Sequence, residues 1–106
     1  MSHALPVGPP PPTITVDELR IVADHVVILD VRSAEEYADG HVVGARHVPL
    51  DRLADALPSL PRGARIVTVC TKGGGRSQGA AATLLADGFR DVSFLDGGWL
   101  AWRARL

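Results

Sequence analysis

The sequence predicts an α/β fold with a central parallel sheet that is flanked by helices on both faces. Short apolar runs of strand length, at residues 26–31, 65–70 and 92–95, alternate with segments of helical character. The first run, Val26 to Val31, lacks the apolar–polar alternation of a half-exposed strand, which indicates burial on both faces. Strands that alternate with helices in this way are typical of a parallel sheet covered on two sides.

Local signals predict the order of the elements. Thr15 with Glu18, and Ser33 with Glu36, have capping-box spacing, in which a hydroxyl and a carboxylate satisfy the first free amides of a helix. Glycine and proline then mark where helices end. The predicted elements are a strand at 13–16, a helix to residue 23, a strand at 26–31, a helix at 33–38, a helix at 51–57, a strand at 65–70, a helix at 77–87, a strand at 92–95 and a short helix after Gly97-Gly98.

The length of 106 residues, with 46% hydrophobic and 22% charged residues, predicts a single domain of ordinary globular composition. That domain is expected to cover residues 13–106. Residues 1–12 hold five of the eight prolines and are predicted to form a Pro-rich N-terminal arm, extended where ordered. Two interpretations of the arm stay open: a passive tail, which is favoured, and a recognition motif for an aromatic groove.

Charge and cysteine content exclude several classes of function. The net charge of −1 argues against a nucleic acid or an acidic membrane as the partner. The longest apolar runs are too short to span a membrane, and the N-terminus lacks a secretory signal. The single cysteine forbids an intrachain disulfide and a cysteine-based zinc site, and the four histidines are scattered, so no metal or cofactor is predicted. We therefore expect a soluble cytoplasmic protein.

The most informative stretch surrounds the only cysteine, Cys70, at the carboxyl end of its predicted strand, where open α/β sheets bind ligands. Glycines after it let backbone N–H groups converge into an anion-binding nest. The dipole of the next helix and the charges of Lys72 and Arg76 are predicted to lower the pKa of the thiol and make the thiolate a nucleophile. At least one of Gly74 and Gly75 is expected to need a positive φ. The predicted anion-binding loop consists of Thr71, Lys72, Gly73, Gly74, Gly75, Arg76 and Ser77.

Competing interpretations explain less of this stretch. A lone cysteine after an apolar strand is most often a small buried hydrophobe, but that role needs neither the glycines nor the cations that follow. A nucleotide-binding P-loop needs its lysine after the glycines, whereas Lys72 precedes them. A dinucleotide-binding fingerprint needs spaced glycines, and these are consecutive. A nucleophilic cysteine in an anion-binding loop is therefore the favoured interpretation.

Asp30 and Arg32 end the first buried strand and are predicted to support the loop, provided that the sheet places the two strands side by side. They could contact the substrate or serve as scaffolding. Because buried charges need partners, scaffolding is favoured, with Asp30 accepting loop amides and Arg32 paired to Glu36. His41 could be a general base for Cys70 or a side chain that ties its own loop together, and the second role is favoured.

Four segments in this order resemble the signatures of rhodanese-like domains. They are Leu29-Asp30-Val31-Arg32 with Glu35-Glu36-Tyr37, Gly40-His41 through Gly44-Ala45 to His47-Val48-Pro49, the loop from Cys70 to Ser77, and Phe94-Leu95-Asp96-Gly97-Gly98-Trp99 with Trp102. The resemblance implies a parallel sheet flanked by helices and, in active members, transfer of a sulfane sulfur. Cys70 would take sulfur from a donor such as thiosulfate and hold it as a persulfide, while Lys72, Arg76 and the loop amides hold the donor. The implied partners are a small-molecule sulfur donor and a thiol acceptor, which a protein could supply, with no cofactor or metal.

The length of the loop keeps further functions open. Cys70-x5-Arg76 is one residue longer than the loop of common sulfurtransferase members and resembles that of cysteine phosphatases with the same fold, whose pattern is Cys-x-x-Gly-x-x-Arg-Ser. Val69 replaces the histidine that usually precedes their cysteine. The loop also has no acid to protonate a leaving group, and the nearest acids in sequence are Asp87 and Asp96. A phosphatase or arsenate reductase, and a non-enzymatic sulfur carrier or partner-binding module, therefore stand as alternatives to a sulfurtransferase.

Overall fold

A five-stranded sheet lies at the centre of the computed structural model, which describes residues 9–106. The strands are β1 (Thr13–Ile14), β2 (Val27–Asp30), β3 (Arg46–His47), β4 (Ile66–Val69) and β5 (Val92–Leu95). Their order is β1-β5-β4-β2-β3, and every neighbouring pair is parallel. The predicted α/β fold with a central parallel sheet is confirmed.

The register brings the carboxyl ends of the central strands to one edge of the sheet. Asp30, the last residue of β2, lies beside Val69 of β4, the residue before Cys70. Thr68 of β4 lies beside Phe94 of β5. The two strands lie side by side, which is the condition for Asp30 and Arg32 to lie near the loop. Both strands end where parallel α/β sheets hold their ligands.

Within the described residues, five α-helices surround the sheet. They are α1 (Val16–Val22), α2 (Ala34–Ala38), α3 (Leu53–Ala56), α4 (Gly75–Ala86) and α5 (Gly98–Ala104), with 3₁₀ turns at Ala23–His25, Leu50–Arg52 and Leu57–Ser59. Both predicted capping boxes form, since the hydroxyls of Thr15 and Ser33 each accept the amide of the glutamate three residues later. In the part of the chain that is described, no helix has both the length and the apolar character needed to cross a membrane.

The two faces of the sheet carry separate apolar clusters, because successive strand residues point to opposite sides. In β2, Leu29 packs in the cluster of α3 and α4, whereas Ile28 packs in the cluster of α1 and α5. In β4, Ile66 and Val67 divide between the two clusters in the same way. All four residues of β4 are buried, so helices cover both faces as predicted.

Two elements before the cysteine differ from those predicted by more than one residue at an end. β1 ends at Ile14, because Val16 already belongs to the first turn of α1. The helix predicted at 51–57 is broken into the short α3 between two 3₁₀ turns. Pro58 accounts for the break, since it has no amide hydrogen to donate to the helix.

The helix after the cysteine loop begins two residues earlier than predicted. α4 starts at Gly75, with Gly74 as its N-cap, instead of at Ser77. Glycine is accepted at the N-cap, and its cost inside a helix is only about 0.5–1 kcal/mol of conformational entropy, so Gly74 and Gly75 do not prevent an earlier start. As a result, Arg76 and Ser77, the last two residues of the predicted loop, lie in the first turn of α4.

The predicted Pro-rich arm is described only from Pro9 onward. Residues 1–8 lie outside the described residues. The carbonyl of Pro12 accepts the amide of Phe94 at 3.0 Å, so the chain is already paired with β5 where it enters β1. The division into an arm at 1–12 and a domain at 13–106 stays a prediction.

We expect Gly79→Ala, in the middle of α4, to raise the free energy of unfolding. A Cβ at this position meets no atom within 4 Å, and alanine favours a helix by about 0.5–1 kcal/mol over glycine. Urea unfolding measures the gain. Gly44→Ala is the matched control, because its Cβ also meets open space but its φ is +84°. That variant should lose about 1 kcal/mol, and equal changes in the two variants would contradict this explanation.

Candidate active site

Cys70 lies directly after β4 at the carboxyl edge of the sheet and is only 3% exposed. Its Sγ is 3.1 Å from Oγ of Ser77, which is buried in the first turn of α4. The hydroxyl of Thr68 in β4 donates to the carbonyl of Ser77 at 2.7 Å and holds that turn against the strand. The strand end and the helix start therefore bring a thiol and a hydroxyl into hydrogen-bond contact.

Opposing effects act on the pKa of the Cys70 thiol. Burial raises the pKa, because the thiolate loses contact with water. Hydrogen bonds from the Ser77 hydroxyl and from the amides of Ser77, Gly74 and Gly73 lower it. Together they outweigh burial, so the pKa lies below the ordinary value for a thiol. Convergent amides of this kind are what an anion nest requires.

The start of α5 holds the loop from the opposite side. The amide of Trp99 donates to the carbonyl of Cys70 at 2.9 Å, and the amide of Leu100 donates to the carbonyl of Thr71 at 3.1 Å. These amides belong to the first turn of a helix, where they have no intrahelical partner. Two orphan donors of α5 thus satisfy the first two carbonyls of the cysteine loop.

The backbone of the cysteine loop crosses the first turn of α5 at such close contact that both segments need a glycine there. A Cβ on Gly98 would lie 2.3 Å from the carbonyl oxygen of Cys70 and 2.6 Å from the amide nitrogen of Gly73. The φ values of Gly73 and Gly98 are +74° and +60°, in the region that favours glycine. The expectation that Gly74 or Gly75 needs a positive φ is wrong. The turn is made at Gly73, and the next two residues already lead into α4.

The loop borders an open hollow of about 500 Å³. Its lining residues are Glu36, Cys70, Thr71, Lys72, Gly74, Gly75 and Arg76. All of them except Glu36 belong to the stretch predicted from the sequence. The two remaining residues of the predicted loop, Gly73 and Ser77, lie beneath the lining. Gly73 makes the turn, and Ser77 contacts the sulfur. Among residues 9–106, no group of three or more His, Cys, Asp or Glu side chains is arranged to hold a metal ion.

Glu36 is the site residue that sequence reasoning missed. It lies in the first turn of α2, where its Oε1 accepts the amide of Ser33 at 3.0 Å. Its two oxygens accept from Arg76 at 2.7 and 3.0 Å, and Oε2 also accepts from the Thr71 hydroxyl at 2.9 Å. The capping-box spacing indicated only its local role. No sequence signal connects it to an arginine 40 residues away.

Glu36 stays ionised in this setting. Hydrogen bonds from the Arg76 guanidinium, the Ser33 amide and the Thr71 hydroxyl hold the pKa of its carboxyl far below the usual range, against a smaller opposing effect of burial. The same contact raises the pKa of Arg76. The hollow, like the loop, therefore offers no carboxylic acid to protonate a leaving group. The carboxyl in its lining, that of Glu36, carries no proton near neutral pH.

Asp30 and Arg32 form a buried ion pair that is not part of the hollow. Nη2 of Arg32 lies 2.7 Å from Oδ2 of Asp30, and the same nitrogen donates to the carbonyl of Gly40 at 2.7 Å. This geometry supports the favoured scaffolding role. The prediction that Asp30 accepts loop amides is wrong, because its carboxylate accepts from the amide and the guanidinium of Arg32. The predicted pairing of Arg32 with Glu36 is wrong, because Asp30 is the partner of Arg32 and the carboxylate of Glu36 turns to the loop arginine, Arg76.

His41 lies outside the lining of the hollow. Its ring stacks on that of Tyr37 with 3.7 Å between centroids, and its Nδ1 is 2.8 Å from the Tyr37 carbonyl. The Tyr37 hydroxyl in turn donates to the carbonyl of Ala45 at 2.7 Å. The geometry agrees with the favoured interpretation, a histidine that ties its loop together.

The fold and the site together define a small parallel α/β domain with a cysteine loop beside an open hollow at the sheet edge. A family model described as "Rhodanese-like domain" matches residues 16–105. The chain belongs to the rhodanese-like domain family, as its four signature segments predict.

Individual relatives are similar over most of the chain. A thiosulfate sulfurtransferase, GlpE, of Pseudomonas putida is 42% identical over 78 residues, which are 74% of this chain and 70% of the relative. A rhodanese-related protein of Thermoplasma volcanium has a TM-score of 0.82 at 23% identity, over 89% of this chain and 92% of that one, and shows the fold alone. A protein of Rhodopseudomonas palustris described as a possible tyrosine phosphatase has a TM-score of 0.77 at 29% identity, over 90% and 81% of the two chains.

Gly73→Ala is expected to destabilise the domain by about 2–4 kcal/mol, because its Cβ would meet backbone atoms at a positive φ. The nearest of these atoms, the amide nitrogen of Gly97, would be 2.6 Å away. Urea unfolding measures the loss. Gly75→Ala is the control, since its Cβ meets nothing within 4 Å and its φ is not positive. A Gly73→Ala protein as stable as the Gly75→Ala protein would contradict the close crossing with α5.

Ser77→Ala is expected to move the pH dependence of Cys70 alkylation to higher pH. The substitution keeps the shape of the side chain but removes the hydroxyl that lowers the thiol pKa. The rate of alkylation of the single thiol, measured against pH, tests this. Ser93→Ala is the control, because Ser93 is also buried and its hydroxyl has no partner among the described residues. If the Ser77→Ala profile matches that of the wild type, the backbone amides alone control the ionisation.

Proposed function

We propose that this protein is a sulfurtransferase that moves a sulfane sulfur from a donor such as thiosulfate to a thiol or another nucleophile through a Cys70 persulfide. The observation that carries the proposal is the position of the Cys70 sulfur, 3.1 Å from the Ser77 hydroxyl and in the lining of an open hollow, where hydrogen-bond donors lower its pKa. Membership of the rhodanese-like family supports the same activity, as does the Pseudomonas putida relative named thiosulfate sulfurtransferase.

The first half-reaction needs a nucleophile and a stable leaving group. The Cys70 thiolate attacks the outer sulfur of thiosulfate, a new S–S bond forms, and the old S–S bond breaks with its electron pair leaving on sulfite. Thiolate and thiosulfate dianion become persulfide anion and sulfite dianion, so atoms and charge balance with no proton transferred. In the second half-reaction an acceptor thiolate attacks the outer sulfur of the persulfide, and Cys70 leaves as a thiolate.

The groups around the sulfur have two assigned roles in this proposal. The amides and the Ser77 hydroxyl that lower the pKa of Cys70 also stabilise the persulfide anion, because both species carry their charge on sulfur. The side chains of Thr71, Lys72 and Arg76 line the hollow and are assigned to binding the anionic donor. These roles require the donor to enter through the hollow rather than through the packed side of the loop.

Sulfur transfer is favoured over phosphoester hydrolysis because of the protons that each reaction needs. Hydrolysis requires an acid for the departing oxygen, whereas sulfite leaves as a stable anion. Glu36 lines the hollow but is held ionised by Arg76. Asp87 pairs with Arg62 at the far end of α4, and Asp96 is not among the lining residues.

The proposal also covers the partners of the enzyme and its location in the cell. The partners are a small-molecule sulfur donor and a thiol acceptor, which a protein could supply. A cytoplasmic location is part of the proposal, because the only thiol of the chain must stay reduced between turnovers.

Intact mass after incubation with thiosulfate tests the proposal. The wild type should gain the mass of one sulfur atom and lose it again when cyanide is added, with repeated formation of thiocyanate when both reagents are present. Cys70→Ser should gain nothing, because the chain has no other cysteine. Sulfur uptake by the Cys70→Ser variant would refute the persulfide on Cys70.

A parallel assay with an aryl phosphate distinguishes the alternatives. We expect negligible release of phosphate. Release that depends on Cys70, with no persulfide formed, would identify a phosphatase, in line with the spacing of Cys70 and Arg76. A persulfide that forms once without turnover to any thiol or cyanide would identify a sulfur carrier.

A further inference from the structure

Glu36 is hydrogen-bonded to Arg76, the arginine that would otherwise be available to an anionic sulfur donor. Its two oxygens accept from Nη1 and Nη2 of Arg76 at 2.7 and 3.0 Å, the bidentate geometry in which guanidinium holds a carboxylate most strongly. Nη2 also donates to Oγ1 of Thr71 at 3.2 Å. Three of the five N–H donors of Arg76 are therefore engaged within the protein, and an anion that approaches the same edge of the guanidinium competes with a carboxylate.

The carboxylate has a fixed position in the hollow. The amide of Ser33 and the hydroxyl of Thr71 donate to it at 3.0 and 2.9 Å, in addition to Arg76. Its side chain is 35% exposed, so it faces the hollow instead of being covered by the loop. A negative charge held in this way stays beside the bound donor throughout the reaction.

The charges that line the hollow cancel. Lys72 and Arg76 are its cations, and Glu36 and the Cys70 thiolate are its anions. With the sulfur ionised, the formal sum is zero, and the loop amides are the remaining groups that attract an anion. A second negative charge on a ligand therefore adds little to its binding free energy here. In a site with two unpaired cations it would add more.

We propose that Glu36 determines the charge specificity of this site. Its carboxylate, paired with Arg76, selects sulfane donors that carry a single negative charge, such as thiosulfonates and organic persulfides. Dianions such as thiosulfate and phosphomonoesters are poorer ligands. This inference rests on the proposed sulfurtransferase function and names the class of donor for it. Glu36 acts on the donor through its charge and through Arg76, so it is a positioning and specificity residue.

A thiosulfonate offers the same reaction with one charge fewer. The Cys70 thiolate attacks its outer sulfur, the bond to the sulfonyl sulfur breaks, and the electron pair leaves on sulfinate. Thiolate and monoanionic donor become persulfide anion and sulfinate anion, so atoms and charge balance. The nucleophile and the transferred sulfur are the same as with thiosulfate. A comparison of the two donors therefore reports on the charge of the group that stays in the hollow.

Glu36→Gln removes the charge with little change of shape. Glutamine keeps one oxygen for the Ser33 amide of the capping box, while its NH₂ group replaces the oxygen that accepts from Thr71 and from Nη2 of Arg76. The measured quantity is kcat/KM for thiosulfate divided by kcat/KM for methanethiosulfonate, with cyanide as the acceptor. Loss of one negative charge in near contact with the donor should raise this ratio about tenfold, because the dianion gains twice as much as the monoanion. Effects on folding or on the thiolate itself cancel in the ratio.

Glu35→Gln is the matched control. It makes the same change of net charge on the same helix, but Glu35 is exposed and is not among the residues that line the hollow. Its donor ratio should equal that of the wild type. A ratio that Glu36→Gln leaves unchanged, or that moves equally in both variants, overturns the proposal.

The wild type alone provides a second test that no folding defect can obscure. Sulfate and methanesulfonate are unreactive anions with two negative charges and one. As competitive inhibitors, they should bind the wild type with inhibition constants within about twofold of each other, because the charges of the site cancel. A larger preference for sulfate would reveal uncompensated cations and overturn the proposal.

Failure of the proposed function would look different from failure of this inference. If neither donor forms a persulfide on Cys70 in the wild type, the protein is not a sulfurtransferase. If both donors load Cys70 but their ratio does not respond to Glu36, only the role of Glu36 is refuted.

Discussion

The crossing of the cysteine loop with the first turn of α5 is the contact on which the site depends. The carbonyls of Cys70 and Thr71 accept two amides from that turn, and Gly98 has no side chain to keep the two backbones apart. With these carbonyls satisfied on the α5 side, the amides that follow are free to converge on the sulfur. The pKa of Cys70 is lowered first by the Ser77 hydroxyl and then by these amides, which together outweigh burial.

A buried ion pair makes the second connection, between α2 and the same edge of the sheet. Asp30 and Arg32 satisfy each other's charge, and Arg32 also binds the carbonyl of Gly40, beyond the end of α2. Breaking such a pair costs about 3–5 kcal/mol, because one charge is left buried without a partner. The pair holds α2 beside the loop, where Glu36 meets Arg76.

Predictions from local sequence succeeded where neighbours along the chain supply the physical cause. The capping boxes at Thr15 and Ser33 formed because their partners lie three residues away, within the same helical turn. The choice of turn residue failed for the opposite reason. Three consecutive glycines are equivalent under any local rule, and only the approach of α5 selects Gly73 as the one that needs a positive φ.

The sequence by itself determined the alternation of strands and helices, the place of the single cysteine after a buried strand, and the glycines and cations that follow it. Each of these depends on a short segment and its own periodicity. Tertiary structure alone decided how the charges pair, with Arg32 bound to Asp30 and Glu36 bound to Arg76 across 40 residues of chain. An ion pair forms between charged side chains that the fold brings close together, and the order of the strands sets the distances between the ends of strands and helices. The charge of the hollow is therefore a property of the folded chain and not of any one segment.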